Sequence, residues 1–560
     1  MPAKTPIAAC LLLIAACTPS TGIAPARTST AITAADTKSR IYAIADDSMR
    51  GRQVGRIGNF MMTSYVAREM ARLGLEPGGE NGTWFQVIPM RLATDSASAM
   101  YVSGKPLAIF TDFAPVRPTP NLRIGMTLKQ TGIPVIYGGR AGDWTMALNR
   151  ADVAGRMLLL DAPLAANGEP TGTTATPMAL AIQKYPEAAG IAVAALDLVT
   201  PATATGLRNG GGVLSNDSAA GVRKPVGILV TRAVAEALMK APLATLQPGM
   251  MGQTVDMDIR FDLRPVEAPA RNVIAIIRGS DPALRNQYVA IGAHSDHLGM
   301  VATPVDHDSV RAFNKIMRPE GGQTPNRQVT PEQAIAIRNV LDSLRRLRPA
   351  RLDSVYNGAD DDGSGSVALL EIAESFAAGA RPRRSIILVW HTGEEGGLLG
   401  SAWFAEHTTV PHDSIIAQIN MDMVGKGTAA DLPTGGPRNL QVIGSRRLST
   451  DLGDVVDSVN AKRSVPYIID YSFDTPRHPQ NRYCRSDHYM YARTGIPIAY
   501  ISRGYHQDYH QVTDEAQYID YQGLANVAGF VREIAIALAD RDDRVRVDKP
   551  KPDPLAPCRQ

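Results

Sequence analysis

The sequence predicts an α/β protein in which a mixed, mostly parallel sheet carries helices on both faces, with a β-rich segment inserted into the chain. From about residue 260 onward, short and nearly continuous apolar runs alternate with stretches of helical periodicity, which is typical of strands buried between two helical layers. The clearest runs are "YVAIGAH", "RSIILVWHT", "IIAQINMDM", "NLQVIG" and "IPIAYIS". Between about residues 115 and 255, shorter runs are punctuated by Gly, Pro and Thr, which favours a separate strand-rich domain.

Length and charge narrow the classes of protein. At 560 residues the chain is long enough for two to four domains. Its 58 basic and 55 acidic residues give a net charge of +3, and no long run of one sign provides a nucleic-acid surface. We therefore expect no nucleic-acid partner, while composition leaves the oligomeric state open.

The N-terminus, "MPAKTPIAACLLLIAACTPSTG", has the pattern of an export signal. Lys4 precedes an apolar stretch that is too short to span a bilayer as a mature helix. Its end resembles a bacterial lipobox, which predicts a signal peptide over residues 1–17 and a lipid anchor at Cys17; a plain secretory signal is the alternative. Residues 18–36, rich in Thr, Ala, Ser and Pro, predict a flexible tether. We expect an exported, periplasmic protein that meets a membrane only through the anchor.

Outside the insertion described below, helices are predicted in three places within the body of the chain. From Ile57, apolar residues recur at helical spacing until Gly74 supplies a stop. The runs "GSVALLEIAESFAAG" and "LANVAGFVREIAIALA" have the same character. They supply the helical layers of the predicted sheet.

Polar residues of metal-binding types follow the ends of the predicted strands or lie in loops beside them. They are His294, Asp296, Asp360, Asp361, Asp362, Glu394, Glu395, Asp422, His506 and His510. Taken singly, most suit a helix cap or a turn, although a lone carboxylate in an apolar strand end, as at Asp422, is costly to bury. Taken together they would gather at one edge of the sheet. A mixed set of histidines and carboxylates suits zinc or a similar divalent ion.

The order of these motifs resembles that of the co-catalytic di-zinc aminopeptidases of the bacterial leucyl aminopeptidase type, a clan that includes the glutamate carboxypeptidases. The shared motifs are His-x-Asp, Gly-Ala-Asp-Asp-x-x-Ser-Gly, Glu-Glu, Asp-Met and a late His. The resemblance implies the zinc aminopeptidase fold, of the phosphorylase/hydrolase-like type, and two Zn²⁺ ions per chain. It also implies a peptide substrate.

The resemblance assigns a metal-binding role to five residues. His294 and Asp422 match ligands of the first zinc, Asp361 matches the carboxylate that bridges both ions, and Glu395 and His510 match ligands of the second. His510 is preferred to His506 because "HQVTD" keeps the family's spacing to a following Asp.

The resemblance assigns catalytic or supporting roles to further residues. Glu394 matches the general base that takes a proton from the attacking water and returns one to the leaving amine. Asp296 matches the carboxylate that orients the imidazole of His294. Tyr483 aligns with a tyrosine that binds the tetrahedral oxyanion in some members, with a packed surface tyrosine as the alternative. Asp487 and His488 match a structural "Ser-Asp-His" pattern.

The resemblance also divides the chain into domains. Residues 37–115 begin the peptidase domain, 116–258 resemble an inserted protease-associated domain, 259–543 complete the zinc peptidase domain, and 544–560 form a C-terminal tail. "GIPVIYGG" and "DVAGRMLLLDAP" carry the likeness of the inserted domain.

A long insertion, residues 300–356, separates His294 from Asp361. It contains a predicted helix over 331–347 and an arginine cluster. We expect it either to cover the cleft and restrict substrate length or to form a solvated excursion. The arginines would correspondingly bind a substrate carboxylate or face solvent; they are Arg345, Arg346, Arg348 and Arg351.

The expected function is zinc-dependent exopeptidase activity, with aminopeptidase favoured over carboxypeptidase or dipeptidase. A non-catalytic receptor of the same clan is disfavoured because the complete ligand set and the base are present. A one-zinc glutaminyl cyclase is disfavoured because His294 is retained. Cys484 and Cys558 remain in the mature chain if the signal accounts for the other two cysteines, and the sequence leaves open whether they are bridged.

Overall fold

A computed structural model describes residues 28–95, 97–140, 148–162, 175–199, 201–215, 224–324, 327–554, 556, 558 and 560. The predicted signal peptide, its Cys17 and residues 18–27 of the predicted tether lie outside the described residues. Helical structure begins at Ala34, inside the segment predicted as tether, where the side chain of Thr33 caps the first helix.

The strands of the described residues form two large sheets and one two-stranded sheet. They are β1 (Glu76–Pro77), β2 (Phe85–Val87), β3 (Met90–Asp95), β4 (Ala99–Val102), β5 (Lys105–Pro106), β6 (Phe113–Val116), β7 (Thr127–Arg140), β8 (Met157–Asp161), β9 (Gly190–Ala194), β10 (Gly211–Leu214), β11 (Val226–Val230), β12 (Met251–Pro265), β13 (Arg271–Ile277), β14 (Tyr288–His294), β15 (Gly299–Asp306), β16 (Leu352–Tyr356), β17 (Ser385–His391), β18 (Ile415–Met421), β19 (Asn439–Ile443), β20 (Ile468–Asp470) and β21 (Ile498–Ser502).

The helices cover the sheets, and two of them, α7 and α8, lie in the insertion. They are α1 (Ala34–Ile44), α2 (Ile57–Arg72), α3 (Arg150–Val153), α4 (Ala175–Lys184), α5 (Pro201–Asn209), α6 (Arg232–Met239), α7 (His307–Met317), α8 (Pro331–Leu347), α9 (Gly363–Ala378), α10 (Leu399–Glu406), α11 (Thr450–Ala461), α12 (His488–Arg493) and α13 (Tyr521–Ala539). Among the described residues, no helix is both long and apolar enough to cross a membrane.

The main sheet is mixed, and its centre is parallel. Strands β17, β14, β18 and β21 lie side by side in the same direction. On one flank β13 runs antiparallel to β17 and pairs with β1 and β2. On the other flank β19 runs antiparallel to β21 and carries β20. The predicted α/β class is confirmed, and the antiparallel pairs β13–β17 and β19–β21 join the flanks to the parallel centre.

Alternate residues of the central strands enter two different hydrophobic cores, which explains why the strands read as continuous apolar runs. In β17, Leu388 and Trp390 face a core built with α1, α2, α9, α11 and α13. Ile387 and Val389 face the opposite core, built with α10 and α12. Helices therefore cover both faces, as predicted.

The second large sheet extends beyond the segment predicted for the inserted domain. Its order is β10-β3-β12-β7-β8-β9-β11-β6, with β4 and β5 attached. It begins at Met90, not at residue 116, because the long strand β12 pairs with both β3 and β4. Separate buried clusters pack on its two faces.

The insertion has ordered structure of its own. Strands β15 and β16 pair as an antiparallel ribbon that holds its ends together, with α7 and α8 between them. Helix α8 spans Pro331–Leu347, the predicted range. Thr330 and Gln333 form a capping box at its start, and Pro331 occupies the first turn.

Cys484 and Cys558 form a disulfide, with Cα atoms 5.6 Å apart. The bridge joins the C-terminal segment to a 3₁₀ turn, Arg482–Cys484. A second tie is the hydrogen bond from the Tyr483 N–H to Gln560 Oε1, at 3.1 Å. The turn that leads into "RSDH" is therefore fixed from a distant part of the chain.

Candidate metal centre

Four parallel strands of the main sheet deliver the candidate residues to one edge. β14 ends at His294 itself, and β18 ends one residue before Asp422. β17 and β21 end shortly before Glu394, Glu395 and His510. Because these strands run in the same direction, their carboxyl ends lie side by side, which is where ligands bind in such sheets.

One donor group consists of His294, Asp361 and Asp422. His294 Nε2 lies 3.2 Å from Asp361 Oδ1 and 3.8 Å from Asp422 Oδ1. All three side chains are buried. Ser486 donates a hydrogen bond to Asp422 Oδ2 at 2.8 Å. This bond turns the other oxygen of Asp422 toward the group.

The second donor group shares Asp361. His510 Nε2 lies 3.1 Å from Asp361 Oδ2 and 3.0 Å from Glu395 Oε2. The two oxygens of Asp361 therefore face different groups, as a bridging carboxylate requires. The side chain of His510 is 32% exposed, whereas that of His294 is 1% exposed. The second group is thus the one that opens to solvent.

His297 joins the second group, and the sequence analysis did not include it. Its Nδ1 lies 2.7 Å from Glu395 Oε1 and 3.9 Å from Asp361 Oδ2. Its side chain is fully buried. The sequence feature that could have identified His297 as a candidate ligand is its position in "HSDHLG", three residues after His294.

The donor atoms fit cations. Atoms of this cluster that are buried yet have no hydrogen-bond partner among the described residues are His294 Nε2, His297 Nδ1 and Nε2, Asp361 Oδ2, Glu395 Oε1 and Asp422 Oδ1. Buried polar atoms are normally paired, since leaving them unpaired is costly. A mixed nitrogen and oxygen set of this kind matches the ligand preference of zinc.

The adjacent glutamates, Glu394 and Glu395, differ in electrostatic character. Burial raises the pKa of Glu395, but attraction to the His510 imidazole outweighs it and lowers the pKa to about 2. Burial raises the pKa of Glu394, and repulsion from Glu395 and Asp422 helps to hold it well above its usual value. No described residue donates a hydrogen bond to the Glu394 side chain. Glu395 is thus part of the second donor group, whereas the carboxyl group of Glu394 belongs to neither group.

Asp362 connects the loops that carry the candidate ligands. It caps helix α9 by accepting from Gly365 N at 2.9 Å. It also accepts from the main-chain N–H groups of His294 at 3.0 Å and Met423 at 3.3 Å. One buried carboxylate therefore fixes three loops relative to one another.

Asp296 contacts His294, the residue that the sequence analysis linked to it, and also Glu394. His294 Nδ1 lies 3.1 Å from the Asp296 carbonyl oxygen and 3.8 Å from its carboxylate. The carboxylate accepts from Glu394 N at 3.1 Å. The main-chain oxygen is therefore the nearer partner of the imidazole, and the side chain positions the Glu394 backbone.

His506 lies apart from the candidate ligands. Its Nε2 is 3.2 Å from Asp360 Oδ2, and its Nδ1 accepts from Asp508 N at 3.1 Å. Asp514, the acid after "HQVT", accepts from the N–H of Asp361 at 3.1 Å. The structure brings His510, not His506, to the donor groups.

Tyr483 does not approach the donor groups. Its ring packs against the guanidinium of Arg447 at 4.2 Å and the ring of Tyr489 at 5.9 Å. Burial raises the pKa of its phenol. Among the described residues its side-chain contacts include none of the candidate ligands, because the bridged turn directs the ring into the core beside α12. Tyr483 is therefore a buried core residue, and not the packed surface tyrosine that was the alternative.

Asp487 and His488 are buried in the core behind the centre. Asp487 Oδ2 lies 3.5 Å from His391 Nδ1, and burial raises the pKa of Asp487 to about 7. Burial lowers the pKa of His488 to about 3. Neither residue belongs to a donor group.

The insertion packs on the loop that carries His510. Asp508 receives Arg311 Nη1 at 2.8 Å and Asn314 Nδ2 at 3.4 Å, both from α7. Lys426 Nζ reaches the same carboxylate at 2.7 Å. These cations hold the pKa of Asp508 well below its usual range against the effect of burial. Helix α7 is therefore packed on the fold, whereas α8 has no buried residue and agrees better with the solvated alternative.

The turn after α7 extends this packing to the neighbours of His510. Arg318 Nη1 donates to the carbonyl oxygens of Gln507 and Tyr509, each at 3.0 Å. Gly321, with φ of +83°, lies so close to Tyr505 that an added Cβ would come 1.9 Å from the Tyr505 carbonyl oxygen. The insertion therefore fixes the backbone on both sides of this donor.

Most of the arginine cluster is paired with acids. Arg348 contacts Asp308 at 2.7 Å, and Arg351 contacts Glu515 at 2.5 Å. Arg345 pairs with Asp306, while the one hydrogen-bond partner of Arg346 among the described residues is the Ser343 hydroxyl. The side chains that would bind a substrate carboxylate already have carboxylate partners, so the cluster serves to hold the insertion together.

Arg318→Ala is expected to weaken metal binding by about tenfold or more without unfolding the protein. The variant removes two hydrogen bonds that fix the backbone beside His510, and loss of an outer partner of a metal ligand costs about 10–100-fold in affinity. Titration of the metal-free protein with Zn²⁺ measures the effect. Arg346→Ala, in the same insertion but bonded, among the described residues, only to Ser343, is the control. Equal affinities for the two variants would contradict the bracing role.

Residues 272–535 match the model of a protein family described as Peptidase family M28. Among curated proteins, the "Probable leucine aminopeptidase" of Arthroderma otae is 28% identical over 193 residues, which cover 32% of this chain and 48% of that protein. "Leucine aminopeptidase 1" of Sclerotinia sclerotiorum is 29% identical over 210 residues, covering 35% and 51%. The chain spans about half the length of the curated relatives it matches.

Solved structures show similarity over a larger share of the chain but at lower identity. An aminopeptidase from Aneurinibacillus sp. strain AM-1 has 15% identity and a TM-score of 0.49, with 93% of this chain and 97% of that chain covered. A zinc aminopeptidase from Bacillus subtilis has 15% identity and a TM-score of 0.45, with 93% and 98% covered.

Proposed function

We propose, from the match of residues 272–535 to the model of peptidase family M28, that the protein is a zinc-dependent aminopeptidase that releases N-terminal residues from peptides. One observation carries the proposal: two donor groups share Asp361, and Glu394 stands beside them without belonging to either. The curated relatives named leucine aminopeptidase support the choice of activity.

We propose that the centre holds two Zn²⁺ ions. His294 and Asp422 would bind one ion, Glu395 and His510 the other, and Asp361 would contribute one oxygen to each. When bound, such ions polarise a carbonyl group and lower the pKa of a water nucleophile.

The chain's own groups then handle the proton. Glu394 accepts a proton from the attacking water and passes it to the leaving amine, because its carboxylate is not used in a donor group. Asp296 fixes the Glu394 main-chain N–H at 3.1 Å. Because its backbone is held in this way, Glu394 can direct its side chain to the substrate while the neighbouring Glu395 faces the ions.

Carboxypeptidase or dipeptidase activity is the second candidate. Its support in the sequence was the arginine cluster, which would have recognised a terminal carboxylate. Arg348 and Arg351 are instead occupied by Asp308 and Glu515. The paired arginines therefore favour the aminopeptidase, and the complete donor set continues to disfavour a non-catalytic receptor.

Metal analysis joined to a blocked-peptide panel tests the proposal. We expect about two zinc ions per chain, cleavage of free and C-terminally amidated peptides, and no cleavage of N-acetylated ones. Cleavage of N-acetylated peptides together with rejection of amidated ones would replace the aminopeptidase by a carboxypeptidase. Metal-loaded protein that hydrolyses none of the peptides would overturn the proposal.

We further propose that residues 116–258 form most of a protease-associated domain bordering the cleft, and that the chain is exported and lipid-anchored at Cys17. The ordered β-rich sheet between the two parts of the peptidase domain supports the first proposal. The "LLLIAAC" pattern supports the second.

A further inference from the structure

Arg485 follows the bridged turn and stands two residues after Tyr483, at the point where the chain returns to the metal centre. The next residue, Ser486, donates to the candidate ligand Asp422 at 2.8 Å. The same short segment thus places Tyr483 in the core and contacts a candidate ligand through Ser486.

The guanidinium of Arg485 is held by neutral groups from two sides. Its Nη1 donates to Gln323 Oε1 at 3.1 Å, and its Nη2 donates to the Tyr509 hydroxyl at 3.3 Å. The ring of Tyr505 lies 5.1 Å from the guanidinium carbon. Gln323 comes from the insertion, so the insertion contributes to this arrangement directly.

Among the described residues, no carboxylate pairs with Arg485. This contrasts with Arg348 and Arg351, which lie in the arginine cluster and have acid partners. A half-buried guanidinium without a counter-ion beside a catalytic centre is suited to an anionic oxygen of a ligand.

Two observations place this guanidinium beside the centre. The ring of Tyr509, its hydrogen-bond partner, stacks on that of His510 at 3.8 Å between centroids. Burial acts to lower the pKa of Arg485, but the phenols of Tyr505 and Tyr509 and the carboxylate of Glu394 hold it above its ordinary value. Glu394 therefore acts electrostatically on this guanidinium, whose contact with the centre runs through Tyr509.

We propose that Arg485 is a catalytic residue that donates hydrogen bonds to the scissile carbonyl oxygen and to the oxyanion that develops there. It takes the role that the sequence assigned to Tyr483. Gln323 is a positioning residue that orients the guanidinium. This inference rests on the proposed peptidase function and adds a substrate contact to it.

A charged planar donor suits this role for two reasons. The guanidinium stays protonated throughout the working pH range, so it offers N–H groups whatever the state of Glu394. Donors aimed at an oxygen stabilise the transition state more than the ground state, because the negative charge on that oxygen grows during attack. Removal of one such donor costs about 10²–10³-fold in kcat.

The test uses Arg485→Ala and Arg485→Gln in the zinc-loaded full chain. Substrates are a dipeptide, its C-terminal amide and an aminoacyl anilide. We expect kcat to fall by about 100-fold for all three, with unchanged zinc content and partial recovery of Arg485→Ala by added guanidinium at millimolar concentration. Affinity for a phosphinic peptide, which imitates the oxyanion, is expected to fall similarly by calorimetry.

The competing assignments give different results. Loss confined to the dipeptide, through KM, would make Arg485 a carboxylate anchor and overturn the proposal. A large kcat loss in Tyr483→Phe with full activity in Arg485→Gln would return the role to the tyrosine. Gln323→Ala is expected to lower kcat by about tenfold while leaving KM and zinc content unchanged. A wild type without peptidase activity would refute the proposed function itself, whereas an active wild type matched by both Arg485 variants would refute only this inference.

Discussion

Glu394→Gln is expected to lower kcat by about 10²–10⁴-fold while leaving bound zinc unchanged. Glutamine keeps the size of the side chain, but it replaces one carboxylate oxygen by an NH2 group and cannot accept the proton of the attacking water. Metal binding should persist because Glu394 belongs to neither donor group, and its neighbour Glu395 faces His510 at 3.0 Å. Kinetics on an aminoacyl anilide, together with metal analysis by mass spectrometry, measures both quantities.

Glu406→Gln provides a matched control for this variant. Glu406 ends helix α10, just after the paired glutamates, and its side chain is 45% exposed beside Arg123. The same chemical change there should leave kcat and zinc content as in the wild type. If Glu394→Gln kept full activity with both ions bound, another group would have to carry the proton.

The parts of the site that the sequence predicts are those set by strand direction. His294 and Asp422 stand at or just after apolar strand ends, and parallel neighbours must bring such ends to one edge. The alternation of Leu388 and Trp390 with Ile387 and Val389 likewise follows from a period of two. These features depend only on local pattern and on pairing rules.

The parts that the sequence missed depend on contacts between distant segments. Tyr483 packs on Arg447 in a turn that is held by the disulfide from Cys484 to Cys558. His297 enters the second group only because Glu395 approaches it from another strand end. Neither the packing of Tyr483 nor the position of His297 can be predicted from local sequence periodicity.

In the insertion, too, the sequence predicts local structure but not the contacts between distant segments. The sequence correctly predicts helix α8 from Pro331 to Leu347 because caps and periodicity are local. The pairing of Arg311 with Asp508, and of Arg351 with Glu515, joins segments far apart in the chain. Charge composition could show that arginines were present, but their acid partners were visible only in the folded chain.

Asp361→Asn and His510→Ala are expected to affect metal content in different ways, and their comparison tests the shared-carboxylate arrangement. His510 contributes to one donor group, so its loss should leave about one tightly bound zinc ion per chain. Asp361 offers Oδ1 to His294's group and Oδ2 to His510's group. Its replacement removes a negative charge from both, so binding of both ions should weaken by more than the roughly 10–100-fold that loss of an outer partner costs.

Equilibrium dialysis against buffered Zn²⁺ separates these outcomes, because it gives both the number of ions and their affinities. Circular dichroism checks that each variant remains folded, which is expected because neither side chain packs in a hydrophobic core. Hydrolysis should be lost in both variants if both ions take part. One tight ion remaining in Asp361→Asn, with the second lost, would show that this carboxylate serves a single site and that the two donor groups are independent.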